Sequence, residues 1–275
     1  MRRRFAQVDV FAERALGGNP LAVIIEADGL DDESMQAFAQ WTNLSETTFV
    51  LPPSAPEADY RVRIFTPSGE LPFAGHPTLG TCAVWLATGA KPQRADVIQE
   101  CGVGFVPIRR SDDRLAFRAP PLIRSGPVDA DLVASISHAL GTPVIDASWA
   151  DNGPGWVAVE VRNVATLLAL RPQFNDLPDI KLGVIASCDD GDDAAIEVRA
   201  FYPSGGTHGE DPVTGSLNAS VAQWLMQRDP TITSYVARQG AVLGRRGRVY
   251  IDRNDAGEIW IGGHVVPLID GVVDL

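Results

Sequence analysis

Three residues carry the chemistry that this sequence offers: a glutamate at position 46, a histidine at 76 and an aspartate at 211. Carboxylates and imidazoles are the side chains best suited to moving protons to and from carbon. A lone glutamate is ordinarily a solvated surface group. Glu46, however, stands where a helical stretch gives way to the β-prone run Thr47-Thr48-Phe49-Val50, and junctions between rigid elements are where catalytic side chains concentrate. His76 and Asp211 each precede a proline, and they occur in a stretch that the chain states twice.

The first copy runs RIFTPSGELPFAGHPTLGTCAVWL from Arg63 to Leu86, and the second runs RAFYPSGGTHGEDPVTGSLNASVAQWL from Arg199 to Leu225. Arg63-x-Phe65-x-Pro67-Ser68-Gly69 answers Arg199-x-Phe201-x-Pro203-Ser204-Gly205. After a one-residue slip, His76-Pro77-x-x-Gly80-Thr81 answers Asp211-Pro212-x-x-Gly215-Ser216. Each copy reads as an alternating strand, a Pro-Ser-Gly turn, a loop and a small-residue helix. A polar residue before proline is a helix start, because proline's missing N–H has no helical partner there. This places His76 and Asp211 at or beside the caps of two equivalent helices. Free N–H groups at such ends attract anions, and Gly75, Gly80 and Gly215 let a ligand approach the backbone. The duplication predicts two lobes of like fold sharing a site for a small carboxylate.

Composition narrows the class. A chain of 275 residues with net charge −12 is long enough for two domains of roughly 100–150 residues. Its acidity argues against a nucleic-acid partner, which needs a basic face. The three cysteines, Cys82, Cys101 and Cys188, lack the spacing of a disulfide framework or a metal site. No apolar run approaches the ~20 residues of a membrane span, and no signal-peptide core follows Met1-Arg2-Arg3-Arg4. These features predict a cytoplasmic protein without a membrane partner. No phosphate-binding glycine fingerprint precedes a helix, so no nucleotide cofactor is expected; no other cofactor and no metal are expected either.

The elements that must position the candidates follow in order. Strands are expected over Phe5–Phe11 and Leu21–Ile25, and a helix capped by Asp31 or Asp32 continues through Trp41. Val97–Val106 and Arg114–Arg118 read as a hairpin around Ser111-Asp112-Asp113, and Pro120–Pro127 as a crossover. A helix over Ala130–Leu140 closes at Gly141. The second lobe continues with a strand Trp156–Val161, a helix Val164–Leu170 and a strand Lys181–Ser187. Asp189-Asp190-Gly191-Asp192-Asp193 is a solvated turn lacking the spacing of a calcium loop. Strands over 234–238, 247–252, 258–261 and 262–273 complete it. The expected class is α+β, with lobes at 1–122 and 123–275.

Gly18-Asn19-Pro20, Asn43-Leu44-Ser45-Glu46-Thr47-x-Phe49, Arg63-x-Phe65-Thr66-Pro67, Glu70-Leu71-Pro72-Phe73-x-Gly75-His76-Pro77-Thr78 and Gly209-Glu210-Asp211-Pro212-x-Thr214-Gly215-Ser216 resemble the phenazine-biosynthesis PhzF family. The resemblance extends from the first strand to Gln239-Gly240. It implies the diaminopimelate epimerase-like fold, two pseudo-symmetric lobes each with a barrel-like sheet around a central helix, and an active site between them. It also implies cofactor-independent proton-shift chemistry and a homodimer. Glu46 matches the family's general acid/base, and His76 and Asp211 match polar residues lining the cleft. Candidate substrate-binding residues are Asn19, Ser45, Gly75, Thr81, Gly215 and Ser216. Epimerases of this fold place a cysteine at each helix end, whereas neither place holds one here. The expected activity is an isomerase acting on a small carboxylate-bearing substrate. The alternatives are an epimerase using Glu46 with His76 or Asp211 as opposed bases, and a non-catalytic small-molecule binder.

Overall fold

The structure, a computed structural model, describes residues 1–111, 113–204 and 207–275. Two expected turns include positions outside that set, Asp112 in the first and Gly205 in the second Pro-Ser-Gly turn. The chain divides into two compact units, Met1–Arg118 with Gly262–Leu275, and Ala119–Ile261.

The first unit comprises β1 (Arg2–Val10), β2 (Asn19–Ile25), α1 (Asp32–Thr42), β3 (Glu46–Leu51), β4 (Tyr60–Thr66), β5 (Gly69–Leu71), α2 (Gly75–Ala87), β6 (Val97–Cys101), β7 (Gly104–Arg110) and β8 (Leu115–Arg118). Its pairing is antiparallel except for β2 with β3 and β4 with β6. Helix α2 packs on β1, β2, β3, β6 and β8. It is apolar on nearly every side, as a helix enclosed by sheet must be. Gly80 permits the close fit: a Cβ there would meet Leu21 Cδ2 at 2.5 Å and Val10 Cγ2 at 2.9 Å. On the opposite face of β3 and β4, α1 buries Met35, Phe38 and Ala39 against Phe49, Leu51 and Phe65. Of the two expected caps, Asp31 and Asp32, Asp31 holds the position and accepts from Ser34 N–H at 2.8 Å. Asn43 ends α1 in the left-handed region at φ 52°, and this turn delivers Glu46 to the start of β3.

The second unit comprises β9 (Arg124–Pro127), α3 (Ala130–Leu140), β10 (Asp146–Asp151), β11 (Trp156–Glu160), α4 (Val164–Ala169), β12 (Lys181–Ser187), β13 (Ile196–Ser204), β14 (Thr207–Asp211), α5 (Gly215–Arg228), β15 (Ser234–Gln239), β16 (Gly247–Arg253) and the start of β17 (Ile259–Gly263), whose last two residues, Gly262 and Gly263, fall in the first unit. The same two parallel pairings recur, β11 with β12 and β13 with β15. Helix α5 occupies the place of α2: a Cβ on Gly183 of β12 would lie 2.4 Å from Leu217. Helices α3 and α4 cover the other face, burying Ile136, Leu140, Leu167 and Leu170 with Val159 and Val184.

Three expectations change. Val97–Val106, expected as one strand, divides at Gly102-Val103 into parts of β6 and β7, which pair with each other. Residues 124–127, read as part of a crossover, form β9 and pair with β10. The last strand, β18 (Val265–Asp274), expected in the second lobe, pairs along the whole of β1 and belongs to the first unit. The reason is non-local, since β1 has a free edge opposite β2 that only a later segment can fill. Among the described residues, no helix is long and apolar enough to cross a membrane.

Candidate active site

In the first unit, the start of α2 meets the starts of β2 and β3. Parallel pairing sets Leu21 opposite Glu46, so Asn19 and Glu46, each the first residue of its strand, arrive at one end of the sheet. His76 sits in the first turn of α2. Its Nε2 lies 3.4 Å from Glu46 Oε2, and its Nδ1 lies 3.4 Å from Asn19 Nδ2. The imidazole is 4% exposed, and burial pushes its pKa down to about 3, because a charged ring would lose its hydration. The ring is therefore neutral near pH 7. With the Asn19 amide donating to Nδ1, the single ring proton is assigned to Nε2, which lies within ion-pair range of Glu46 Oε2 but makes no hydrogen bond to it.

The helix start differs in detail from expectation. The cap is Ala74, which has no capping side chain, and Gly75, His76 and Pro77 form the first turn. His76 is thus inside the helix, and Pro77 is its third residue. The first helical hydrogen bond is Thr78 N–H to the Ala74 carbonyl at 3.2 Å, so the N–H groups of Gly75 and His76 precede the helical ladder. Ser45 is half-buried next to Glu46. Thr81 lies deeper in α2, where its hydroxyl donates to Thr48 Oγ1 at 2.8 Å. The structure therefore brings Asn19, Glu46, Gly75 and His76 together and leaves Thr81 in the core.

In the second unit, α5 begins at Gly215 after the cap Thr214, again without a capping side chain. The Thr214 hydroxyl donates to Asp211 Oδ2 at 2.6 Å. Ser216 Oγ accepts from Trp156 Nε1 at 3.0 Å, and the Ser216 carbonyl accepts from Asn152 Nδ2 at 2.9 Å. Gln239, 1% exposed, bonds both Asp211 and Thr214. Sequence reasoning passed over Thr214, Gln239 and Trp156 as site residues. Thr214 and Gln239 lie within the matched motifs, which is the one local signal they offer.

The repeat is real, but its register at the helices is not the one read from sequence. Arg63 and Glu70 form a bidentate pair at 2.7 and 2.6 Å, and Arg199 and Glu210 form its counterpart at 2.9 and 2.7 Å. In each case the glutamate stands opposite the phenylalanine two residues beyond the arginine, Phe65 or Phe201. Counting on from these pairs, Gly75 answers Gly215 and His76 answers Ser216. Asp211, opposite Ala200, answers Leu71, opposite Ile64. The slip that matched His76 to Asp211 followed a shared proline, whereas the second hairpin is longer than the first. By the same count Glu46 answers Lys181, since Thr47 pairs with Phe65 and Leu182 with Phe201. The Glu46–His76 pair of the first unit is not repeated in the second.

The sequence pattern of the PhzC-PhzF family, described as phenazine biosynthesis-like protein, matches residues 8–271. The chain belongs to this family. It is 36% identical to the trans-2,3-dihydro-3-hydroxyanthranilate isomerase of Pseudomonas aeruginosa, covering 93% of this chain and 92% of that one. It is 34% identical to antisense-enhancing sequence 1 of Schizosaccharomyces pombe, over 97% of both. A PhzF-family crystal structure from Enterococcus faecalis superposes with a TM-score of 0.83 at 26% identity, covering 100% of both chains. The expected α+β, diaminopimelate epimerase-like fold is thereby established, and this PhzC-PhzF protein is an isomerase-class enzyme.

Its cysteines are not placed for acid/base work. Burial pushes the Cys82 thiol up to about 12, and burial also raises Cys101 and Cys188. None of the three stands at a helix start. Among the described residues, no group of three or more His, Cys, Asp or Glu side chains is arranged to hold a metal ion.

Proposed function

We propose that this PhzC-PhzF protein is a cofactor-independent isomerase that shifts a proton within a small carboxylate-bearing substrate, with Glu46 as the general acid/base. The observation that carries this reading is the Glu46–His76 contact at 3.4 Å beside the uncapped start of α2. The Glu46 carboxylate takes a proton from one carbon, and the electron pair left behind moves along the conjugated skeleton. The same carboxyl then returns the proton to another carbon, so a double bond moves with no net oxidation. The N–H groups of Gly75 and His76 favour an anion and the negative charge that develops during transfer. The neutral imidazole, 3.4 Å from Glu46 Oε2, is close enough to help hold the carboxylate in place. In the second unit, Asp211 and the helix-start residues Gly215 and Ser216 supply further polar groups.

That the second unit offers Lys181 and Ser216 where the first has Glu46 and His76 favours one shuttling carboxylate over two opposed bases. The relative from Pseudomonas aeruginosa is named for trans-2,3-dihydro-3-hydroxyanthranilate, a small cyclic amino-acid carboxylate, and this compound is the first substrate to offer. Incubation in D₂O followed by proton NMR should show a product with a displaced double bond, with deuterium at the newly formed C–H wherever the Glu46 carboxyl exchanges its proton with solvent before returning it. A product differing only in configuration would identify an epimerase. Saturable binding of carboxylates without any exchange would identify a binder. The expected homodimer belongs to this reading, and sedimentation velocity measures it.

A further inference from the structure

One buried amide organises the start of α5. Gln239 Oε1 accepts from Thr214 N–H and from Asn218 Nδ2, both at 3.0 Å. Its Nε2 donates to the Asp211 carbonyl at 3.0 Å and to Thr214 Oγ1 at 2.9 Å. The backbone settles which end of the amide is which, because an N–H only donates and a carbonyl only accepts. The consequence runs on to Thr214. Its hydroxyl has one proton, and its oxygen already accepts from Gln239. That proton therefore goes to Asp211 Oδ2, 2.6 Å away, a length typical of a hydroxyl bonded to a carboxylate.

We infer that Gln239, acting through Thr214, is the positioning residue for Asp211. It fixes Oδ2 as a hydrogen-bond acceptor, so any proton that Asp211 carries resides on Oδ1. The functional meaning of this arrangement rests on the proposed role of Asp211. The first unit shows that the fold does not require it. There Leu71 answers Asp211, Ala74 answers Thr214 and Cys101 answers Gln239, since Tyr60 pairs with Gln99 as Ile196 pairs with Ala237. The device accompanies the aspartate.

The test needs no substrate. Protein labelled with ¹³C at aspartate carboxyls is titrated by NMR, with the Asp211 signal assigned by its loss in Asp211→Asn. Thr214→Val removes the hydroxyl at nearly constant shape, and it should raise the Asp211 midpoint by roughly one pH unit, because the charged form loses a hydrogen bond. Thr214→Ser should restore the wild-type midpoint. Gln239→Met removes the donor that orients the hydroxyl, and it should raise the midpoint less. It serves as the second variant should Thr214→Val fail to fold. The neighbouring charges on β13 and β14, Arg199 and Glu210, and Arg245 after β15 are unchanged in all of these. An unmoved midpoint in the folded Thr214→Val or Gln239→Met protein, or an equal rise in Thr214→Ser, overturns the inference. Full turnover by Asp211→Asn would instead remove the functional role of Asp211 and leave the titration result standing.

Discussion

His76 Nε2 and Glu46 Oε2 are 3.4 Å apart, although the two residues come from a helix and a strand distant in sequence. What sets the pair apart from a surface ion contact is that the ring is neutral. Burial, not charge pairing, governs the imidazole, so the contact sets a neutral ring beside a carboxylate, with no hydrogen bond between these two atoms. Such a partner can favour the anion without binding it so tightly that it stops acting as a base.

Glu46→Gln keeps the shape of the side chain and removes its basicity. Turnover should fall by roughly 10²- to 10⁴-fold, the usual contribution of a positioned acid/base group. Circular dichroism and the affinity for a carboxylate ligand should stay near wild type. Turnover within a few-fold of wild type would exclude Glu46 from proton transfer.

His76 makes a prediction about stability against pH. Its folded pKa of about 3 lies below its ordinary 6.5, so between these values the unfolded chain binds the extra proton. Stability from this group is complete above pH 6.5 and declines as pH falls toward 3. His76→Gln should flatten that part of the slope, which urea denaturation at pH 7 and pH 4.5 would measure. An identical pH slope in the two proteins would mean that the ring is charged in the fold.

How much of this was legible depended on range. The α3 helix, with its stop at Gly141, and the β12 strand follow from local capping and alternation, and both stand at the expected residues. The Asp31 cap was likewise readable. Asn19, Glu46 and His76 were each legible as candidates, but their meeting depends on β2 pairing parallel with β3, which no local pattern encodes. The helix register failed for a similar reason. A shared proline was visible in the sequence, while the cross-strand arginine–glutamate pairs that define equivalence span hairpins of unequal length. The partner of β18 was equally invisible, because an edge of β1 is a property of the folded sheet.

Gly80→Ala tests the close fit of α2 in the first unit. The new methyl would fall 2.5 Å from Leu21 and 2.9 Å from Val10. Overpacking of this kind costs about 1–3 kcal/mol, more than alanine's better helix propensity returns. The urea midpoint should therefore fall. Because the helix start must shift to relieve the clash, Glu46-dependent turnover should fall further than in a comparably destabilised variant on the opposite face, such as Met35→Ala.

The two arginine–glutamate pairs share geometry but not surroundings, and this yields a sharper contrast. Arg63 is 24% exposed and Glu70 is 41% exposed, whereas Arg199 and Glu210 are 4% and 12% exposed. Arg199 also donates to the carbonyls of Leu167 and Leu170 at the end of α4, each at 3.0 Å. Glu70→Gln should cost less than about 1 kcal/mol, because water replaces a half-exposed partner readily. Glu210→Gln leaves a buried guanidinium without its counter-charge, and it should cost about 3 kcal/mol or more. Paired urea titrations at low and high salt would separate the two, since only the exposed pair should respond to screening. Equal losses in the two variants would show that burial does not distinguish the repeats.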